Sequence, residues 1–257
     1  MIKRNIYPVL EKHLLEDEMT ILIGPRQVGK TYLMSTLERT LKEKGEKTVF
    51  LNLDIEEHKP LFVSQSSLIS YIELQVGKEK AYVFIDEIQR KKNAELFLKG
   101  ISDMKLPYKF IVSGSGSLEL KAKIKESMAG RKRIFIIDPI SFDEFVNFKT
   151  NYQYENRLQD FFKQEETRTR RFLEEYMVYG GYPRVVLAET VEKKISEMDE
   201  IYESYVDRDI QELLGADKKN SFTNLLKIIA SQIGSLVNTT ELSATVGIAD
   251  QTIQRYL

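Results

Sequence analysis

The stretch Gly24-Pro25-Arg26-Gln27-Val28-Gly29-Lys30-Thr31 fits the pattern G-x-x-x-x-G-K-[ST]. Before it, Thr20-Ile21-Leu22-Ile23 is a short apolar run of buried-strand type. After it, Leu33, Met34, Leu37 and Leu41 fall at helical spacing up to a stop at Gly45. Strand, glycine-rich turn and helix are the context that makes such a stretch a phosphate-binding loop. The glycines let backbone N–H groups turn inward, and the helix presents its positive dipole end to an anion. Residues 24–31, with Tyr32 just inside the helix, are the expected nucleotide contacts. Lys30 is expected to reach the β- and γ-phosphates, and the Thr31 hydroxyl to hold Mg²⁺.

A second site lies where Ala81-Tyr82-Val83-Phe84-Ile85-Asp86-Glu87 ends a fully apolar strand in two acids. Opposite a phosphate loop, Asp86 suits positioning Mg²⁺, and Glu87 suits orienting or deprotonating an attacking water. Lys109-Phe110-Ile111-Val112-Ser113-Gly114-Ser115 reads as another buried strand running into a small-residue turn. Ser113 there is a candidate for sensing the γ-phosphate or holding the lytic water. Two readings are open for Arg131: positive charge for the transition state, or one more residue of a surface basic run that includes Lys121, Lys123, Lys125, Lys132 and Arg133. No N/TKxD base-reading motif is present, which favours ATP over GTP as the nucleotide.

Further strands are read at Thr48-Val49-Phe50-Leu51-Asn52-Leu53-Asp54 and Ile134-Phe135-Ile136-Ile137. Five continuous apolar strands alternating with helices predict an α/β fold, a parallel sheet covered on both faces. A helix over 8–17, opened by Pro8, is expected to bury Val9, Leu10, Leu14 and Leu15, and one over 93–104 follows the acidic pair. Three units are expected: an ATPase core over 1–150, a helical lid over 151–216 and a helix-turn-helix start over 217–257. A long helix is expected from Val191 to Leu214.

The 257 residues carry a net charge of −1, with 42% hydrophobic and 30% charged residues, as in ordinary globular chains. There is no cysteine, which excludes disulfides, thiol nucleophiles and cysteine-ligated metal. His13 and His58 stand far apart and are both expected at the surface. No run approaches a membrane span and no signal peptide opens the chain, so a cytoplasmic location is expected.

These motifs together resemble the AAA+/STAND-like ATPases of bacteria and archaea that carry an uncharacterised C-terminal domain. The matching segments are residues 24–31, Phe84-Ile85-Asp86-Glu87-Ile88-Gln89, Ser113-Gly114-Ser115 and Met128-Ala129-Gly130-Arg131. Asp138-Pro139-Ile140-Ser141-Phe142-Asp143-Glu144-Phe145 and Gly180-Gly181-Tyr182-Pro183 continue the series. The resemblance implies an additional-strand, catalytic-glutamate P-loop core, a helical lid and a winged-helix unit. It implies that Pro183 packs near the adenine and that Arg184 and Arg208 are candidate γ-phosphate sensors of the lid. Pore-loop and arginine-finger segments of hexameric unfoldases are not evident, so ring assembly is not implied.

Residues 242–257 resemble helix-turn-helix sequences. Small Ala244 is expected at the helix crossing, Gly247 at the turn, and Ile248 and Ile253 beneath the second helix. Gln251, Thr252, Gln254 and Arg255 are then placed to face a DNA groove or a protein partner. The sequence stops inside that second helix, uncapped, and the chain is expected to be a truncated piece of a longer protein. Two functions stay open: an Mg²⁺-dependent ATPase acting as a nucleotide-driven switch, or an ATP-gated DNA-binding regulator with negligible hydrolysis. A small-molecule kinase is disfavoured, because Glu87 suits water activation and no acceptor-binding lid is legible.

Overall fold

The computed structural model describes residues 2–115, 126–205, 219–232 and 234–256. Lys121, Lys123, Lys125, Arg208, Leu257 and the far end of the expected long helix lie outside the described residues. The chain divides into two compact units, Met1–Lys194 and Ile195–Leu257.

The first unit opens with α1 (Tyr7–His13), β1 (Met19–Gly24), α2 (Lys30–Glu43) and β2 (Thr48–Asn52). After a 3-10 turn over Glu56–Phe62 come α3 (Gln65–Val76), β3 (Ala81–Asp86), α4 (Ala94–Asp103), β4 (Tyr108–Ser115) and β5 (Lys132–Ile136). The strands form one five-stranded sheet in the order β2-β3-β4-β1-β5, every neighbouring pair parallel. The inserted strand is β4, which separates β1 with its loop from β3 with its acids.

Both faces of that sheet are covered, which is why its strands read as unbroken apolar runs. Alternate residues of each strand belong to different cores. Ile21, Ile23, Val83, Ile85 and Val112 pack with residues of α3 and α4. Leu22, Tyr82, Phe84 and Ile111 pack with Leu33, Met34, Leu37 and Leu41 of α2. The Ser113-Gly114-Ser115 segment, expected as a turn, is the end of β4 itself. Its residues pair in register with Leu22, Ile23 and Gly24. Paired with β1 over its whole length, the segment continues the strand and makes no turn there.

Helix α1 buries Leu10, but Val9 and Leu15 are exposed, contrary to the expected face. The helix ends at His13, which lies three residues after Leu10 and so shares its side. His13 is accordingly buried rather than at the surface, with Nδ1 2.8 Å from Thr20 Oγ1 and its ring edge-on to Phe135. His58 is half-buried, its Nδ1 accepting from Asn52 N at 3.0 Å.

At the amino end of the sheet Lys109 is buried, and its Nζ donates to Glu16 O at 2.7 Å and to Glu18 O. Burial lowers its pKa to about 8, against the opposing pull of Glu18, Glu16 and Asp17. From there up to the ordinary lysine value of 10.5 the unfolded chain binds more protons than the folded one. Stability therefore rises with pH across that window, and the burial penalty is fully present below it. Denaturant titrations should show this rise in the wild type and lose it in Lys109→Met. Parallel pH profiles for the two proteins would contradict the assignment.

A third, aromatic-rich core follows the sheet. Helix α5 (Phe142–Lys149) is opened by a capping box in which Ser141 Oγ accepts from Glu144 N and Glu144 Oε2 accepts from Ser141 N. Then come α6 (Leu158–Gln164), α7 (Glu166–Tyr179) and α8 (Pro183–Leu187). Phe145, Phe161 and Phe172 pack there with Ile2, Ile140 and Val186. Helix α9 (Val191–Ser204) spans the division between the units.

The second unit contains α10 (Lys219–Ser231), α11 (Thr239–Val246) and α12 (Asp250–Tyr256). Leu225, Leu242 and Ile253 form its core, with Ile248 packed against it. Asn238 caps α11 by accepting from Thr240 N and Glu241 N, and Gly247 ends it at φ +75°. Ala244, expected at the crossing, is exposed; Ser243 closes the turn instead, its Oγ donating to Ile248 O at 2.5 Å. Among the described residues no helix is long and apolar enough to cross a membrane.

Candidate functional site

Parallel order brings the carboxyl ends of β1, β4 and β3 side by side, where open sheets of this kind take their ligands. The loop after β1 leads directly into α2, whose cap is Gly29 at φ +96°. A side chain is strained at that φ, so glycine is required to turn the chain into the helix. The N-terminal amides of α2 are thereby aimed at the crest of the loop. Lys30 is buried, and its Nζ donates to Gly24 O at 2.8 Å and to Pro25 O at 2.6 Å. The cation thus sits over the strand end of its own loop.

Asp86, fully buried at the end of β3, is the hub of the polar network. Its Oδ2 accepts from Thr31 Oγ1 at 2.7 Å and from Asn52 Nδ2 at 3.5 Å. Its Oδ1 accepts from Ser113 Oγ and from Glu87 N at 3.2 Å. Four elements therefore converge on one carboxylate: the phosphate loop helix, β2, β3 and β4. Glu87 follows with φ +59°, and its Oε2 accepts from Gln89 Nε2. That left-handed residue ends β3 directly after Asp86. Thr31 and Asp86 together offer a hydroxyl and a carboxylate oxygen in contact. Hard oxygen donors in small number, completed by water and phosphate, fit Mg²⁺.

Pro183 is also brought to the loop, its Cγ lying 3.9 Å from where a Cβ on Gly29 would stand. Tyr32 is on the helix and exposed, and Arg184 is exposed. Arg131 is not brought to the site. Its carbonyl accepts from Met19 N at the start of β1, and its guanidinium pairs with Asp103 at 2.6 Å. That is the amino end of the sheet, about 17 Å of strand away from the phosphate loop. The expected contribution of Arg131 to the transition state is corrected accordingly.

The sequence reading missed four residues. Asn52 ends β2 opposite Asp86 in register, and Gln89 lies two residues beyond Glu87. Arg4 donates from Nη1 to Val28 O of the loop at 3.0 Å and pairs with buried Glu144 at 3.1 Å. Glu144 carries a local sequence signal, as the fourth residue of the capping box Ser141-x-x-Glu144, and Gln89 closes the matching segment Phe84–Gln89.

Residues 16–146 match the profile of a family described as an AAA domain, and residues 170–257 match a domain of unknown function. An uncharacterised protein of Haemophilus influenzae is 27% identical over 252 residues, covering 94% of this chain and 59% of that protein. One from Methanocaldococcus jannaschii is 26% identical over 204 residues, covering 79% of this chain and 44% of its own length. The chain spans about half the length of the curated relatives it matches. Among solved structures it is similar to AMPPCP-bound DnaA from Aquifex aeolicus, with 13% identity and a TM-score of 0.38, covering 100% of this chain and 87% of that one. It is similar also to Pif1 helicase from Candida albicans, with 12% identity and a TM-score of 0.38, covering 59% and 44%.

Proposed function

The chain belongs to the AAA domain family, and on that premise we propose that it is a cytoplasmic Mg²⁺-dependent ATPase that works as a nucleotide-driven switch. The observation that carries this reading is the 2.7 Å contact between Thr31 Oγ1 and Asp86 Oδ2, with Glu87 next in sequence. It joins a phosphate loop to an acidic pair across an intervening strand.

In this reading the amides of residues 26–31 and the Lys30 ammonium bind the β- and γ-phosphates. A charged phosphate oxygen is a stronger acceptor than a carbonyl, so Lys30 exchanges its bonds to Gly24 O and Pro25 O for bonds to phosphate. Thr31 and Asp86 would hold Mg²⁺, which when bound would offset the charge of the phosphates. Glu87 accepts a proton from the attacking water, while Ser113 fixes the Asp86 carboxylate by donating to its Oδ1. We assign the core to 1–150, the lid to 151–216 and the helix-turn-helix to 217–257. Pro183 beside Gly29 supports a lid that responds to the nucleotide. The exposed Gln251 and Gln254 of α12 support contact with duplex DNA or a protein partner.

The test is binding of ATP and GTP by calorimetry with turnover measured alongside, on wild type and Lys30→Ala. Wild type should prefer ATP, and Lys30→Ala should lose about tenfold to a hundredfold in ATP affinity, the worth of a bond to a charged group. Equal affinity in the variant would remove the phosphate loop from nucleotide binding. The same preparations, challenged with duplex DNA at low salt with and without ATP, separate a DNA partner from a protein one.

A further inference from the structure

Buried arginines are rare unless paired, and the side chain of Arg4 is buried against the phosphate loop. Its side chain is 8% exposed and its partner Glu144 5%, with Nε to Oε2 at 3.1 Å. Beyond that pair the guanidinium spreads over three backbone carbonyls. Nη1 donates to Val28 O at 3.0 Å, and Nη2 donates to Asp138 O at 2.6 Å and Pro139 O at 3.5 Å. Glu144 is itself held, accepting from Asn5 N at 2.5 Å and from Ser141 N at 3.0 Å. One planar cation thus ties the phosphate loop to the segment after β5 and to the cap of α5.

The contact with Val28 O has a direct consequence for the loop. In a trans peptide the C=O and the following N–H point in opposite directions. Fixing Val28 O toward Arg4 therefore fixes Gly29 N–H away from it. Gly29 has no side chain and sits at φ +96°, so no side chain of its own holds its peptide planes in place. The charge of Arg4 is matched by Glu144, so what Arg4 supplies to the loop is direction rather than field.

We infer that Arg4 is a positioning residue for the phosphate loop, orienting the Val28–Gly29 peptide so that Gly29 N–H is presented to the nucleotide phosphates. This inference rests on the reading of residues 24–31 as the nucleotide site. Because it acts on an amide of the phosphate cradle, it predicts a defect shared by ADP and ATP and confined to binding. Lysine cannot replace the fork, since one ammonium cannot span carbonyls and a carboxylate in plane.

The experiment compares wild type, Arg4→Lys and Arg4→Gln for ADP and ATP affinity, kcat, KM and thermal midpoint. Arg4→Lys should bind both nucleotides about tenfold more weakly, with KM raised to match and kcat at saturating ATP within about twofold of wild type. Arg4→Gln, whose amide nitrogen stands where Nε does and so loses the donor to Val28 O, should bind both nucleotides at least as weakly as Arg4→Lys. Wild-type affinity in either folded variant overturns the inference, as does a fall in kcat with KM unchanged. Loss of the fold in both variants makes Arg4 structural and overturns it equally. If wild type itself binds neither nucleotide, the nucleotide reading fails rather than the role of Arg4.

Discussion

Glu87→Gln is expected to bind ATP as wild type does and to hydrolyse it at least about a hundredfold more slowly, the usual contribution of a positioned general base. The substitution is nearly isosteric, and the surroundings of Glu87 explain why little else should change. The polar network on Asp86 uses the backbone N–H of Glu87, not its side chain. Glutamine at φ +59° is no more strained than glutamate, so the backbone turn after β3 should persist. The bond from Gln89 to Glu87 Oε2 can be kept by the amide oxygen of the variant. What is lost is the basic oxygen. Affinity by calorimetry and single-turnover rate separate the two effects. Equal turnover in the variant would remove Glu87 from the chemistry, and loss of binding would show that the carboxylate holds the ground state instead.

The parts of this site that were legible in the sequence are those carried by contiguous residues. The loop over 24–31 and the acids Asp86-Glu87 each sit at the end of an apolar run, and both faces of the sheet are buried as such runs require. The positions of Arg131 and Arg4 needed more. In a parallel sheet, residues after β1, β3 and β4 gather at one end, while a residue before β5 stands at the other. That polarity by itself sets Arg131 apart from the site, at the opposite end of the sheet. Arg4 is different, because its partners Val28 and Glu144 are set by how α5 returns to the loop. No local spacing encodes that return. His13 shows the same limit in a milder form. Its three-residue offset from Leu10 marks it as inward, yet a titratable side chain in a short helix reads as surface until Thr20 is seen to meet it.

The second large effect is expected at Gly181, where space rather than backbone conformation demands glycine. A Cβ there would lie 2.1 Å from Ile140 O and 3.1 Å from Tyr176 Oη. The same junction is closed by two bonds, from Ile140 N to Gly181 O at 2.7 Å and from Tyr176 Oη to Ile140 O at 2.7 Å. A methyl group cannot enter without separating these strands of chain. Gly181→Ala should therefore cost roughly 2–4 kcal/mol, overpacking together with a lost buried hydrogen bond. For a chain of this size that lowers the thermal midpoint by about 5–15 °C. Pro183, two residues on, reaches Gly29 of the phosphate loop. Displacing it should weaken ATP binding as well, so added nucleotide should raise the midpoint of the variant less than that of wild type. Thermal melts of both proteins with and without ATP read the two effects in one experiment. A wild-type midpoint would show that the junction relaxes around the methyl group. A lowered midpoint with the full nucleotide shift would show that Pro183 takes no part in the site.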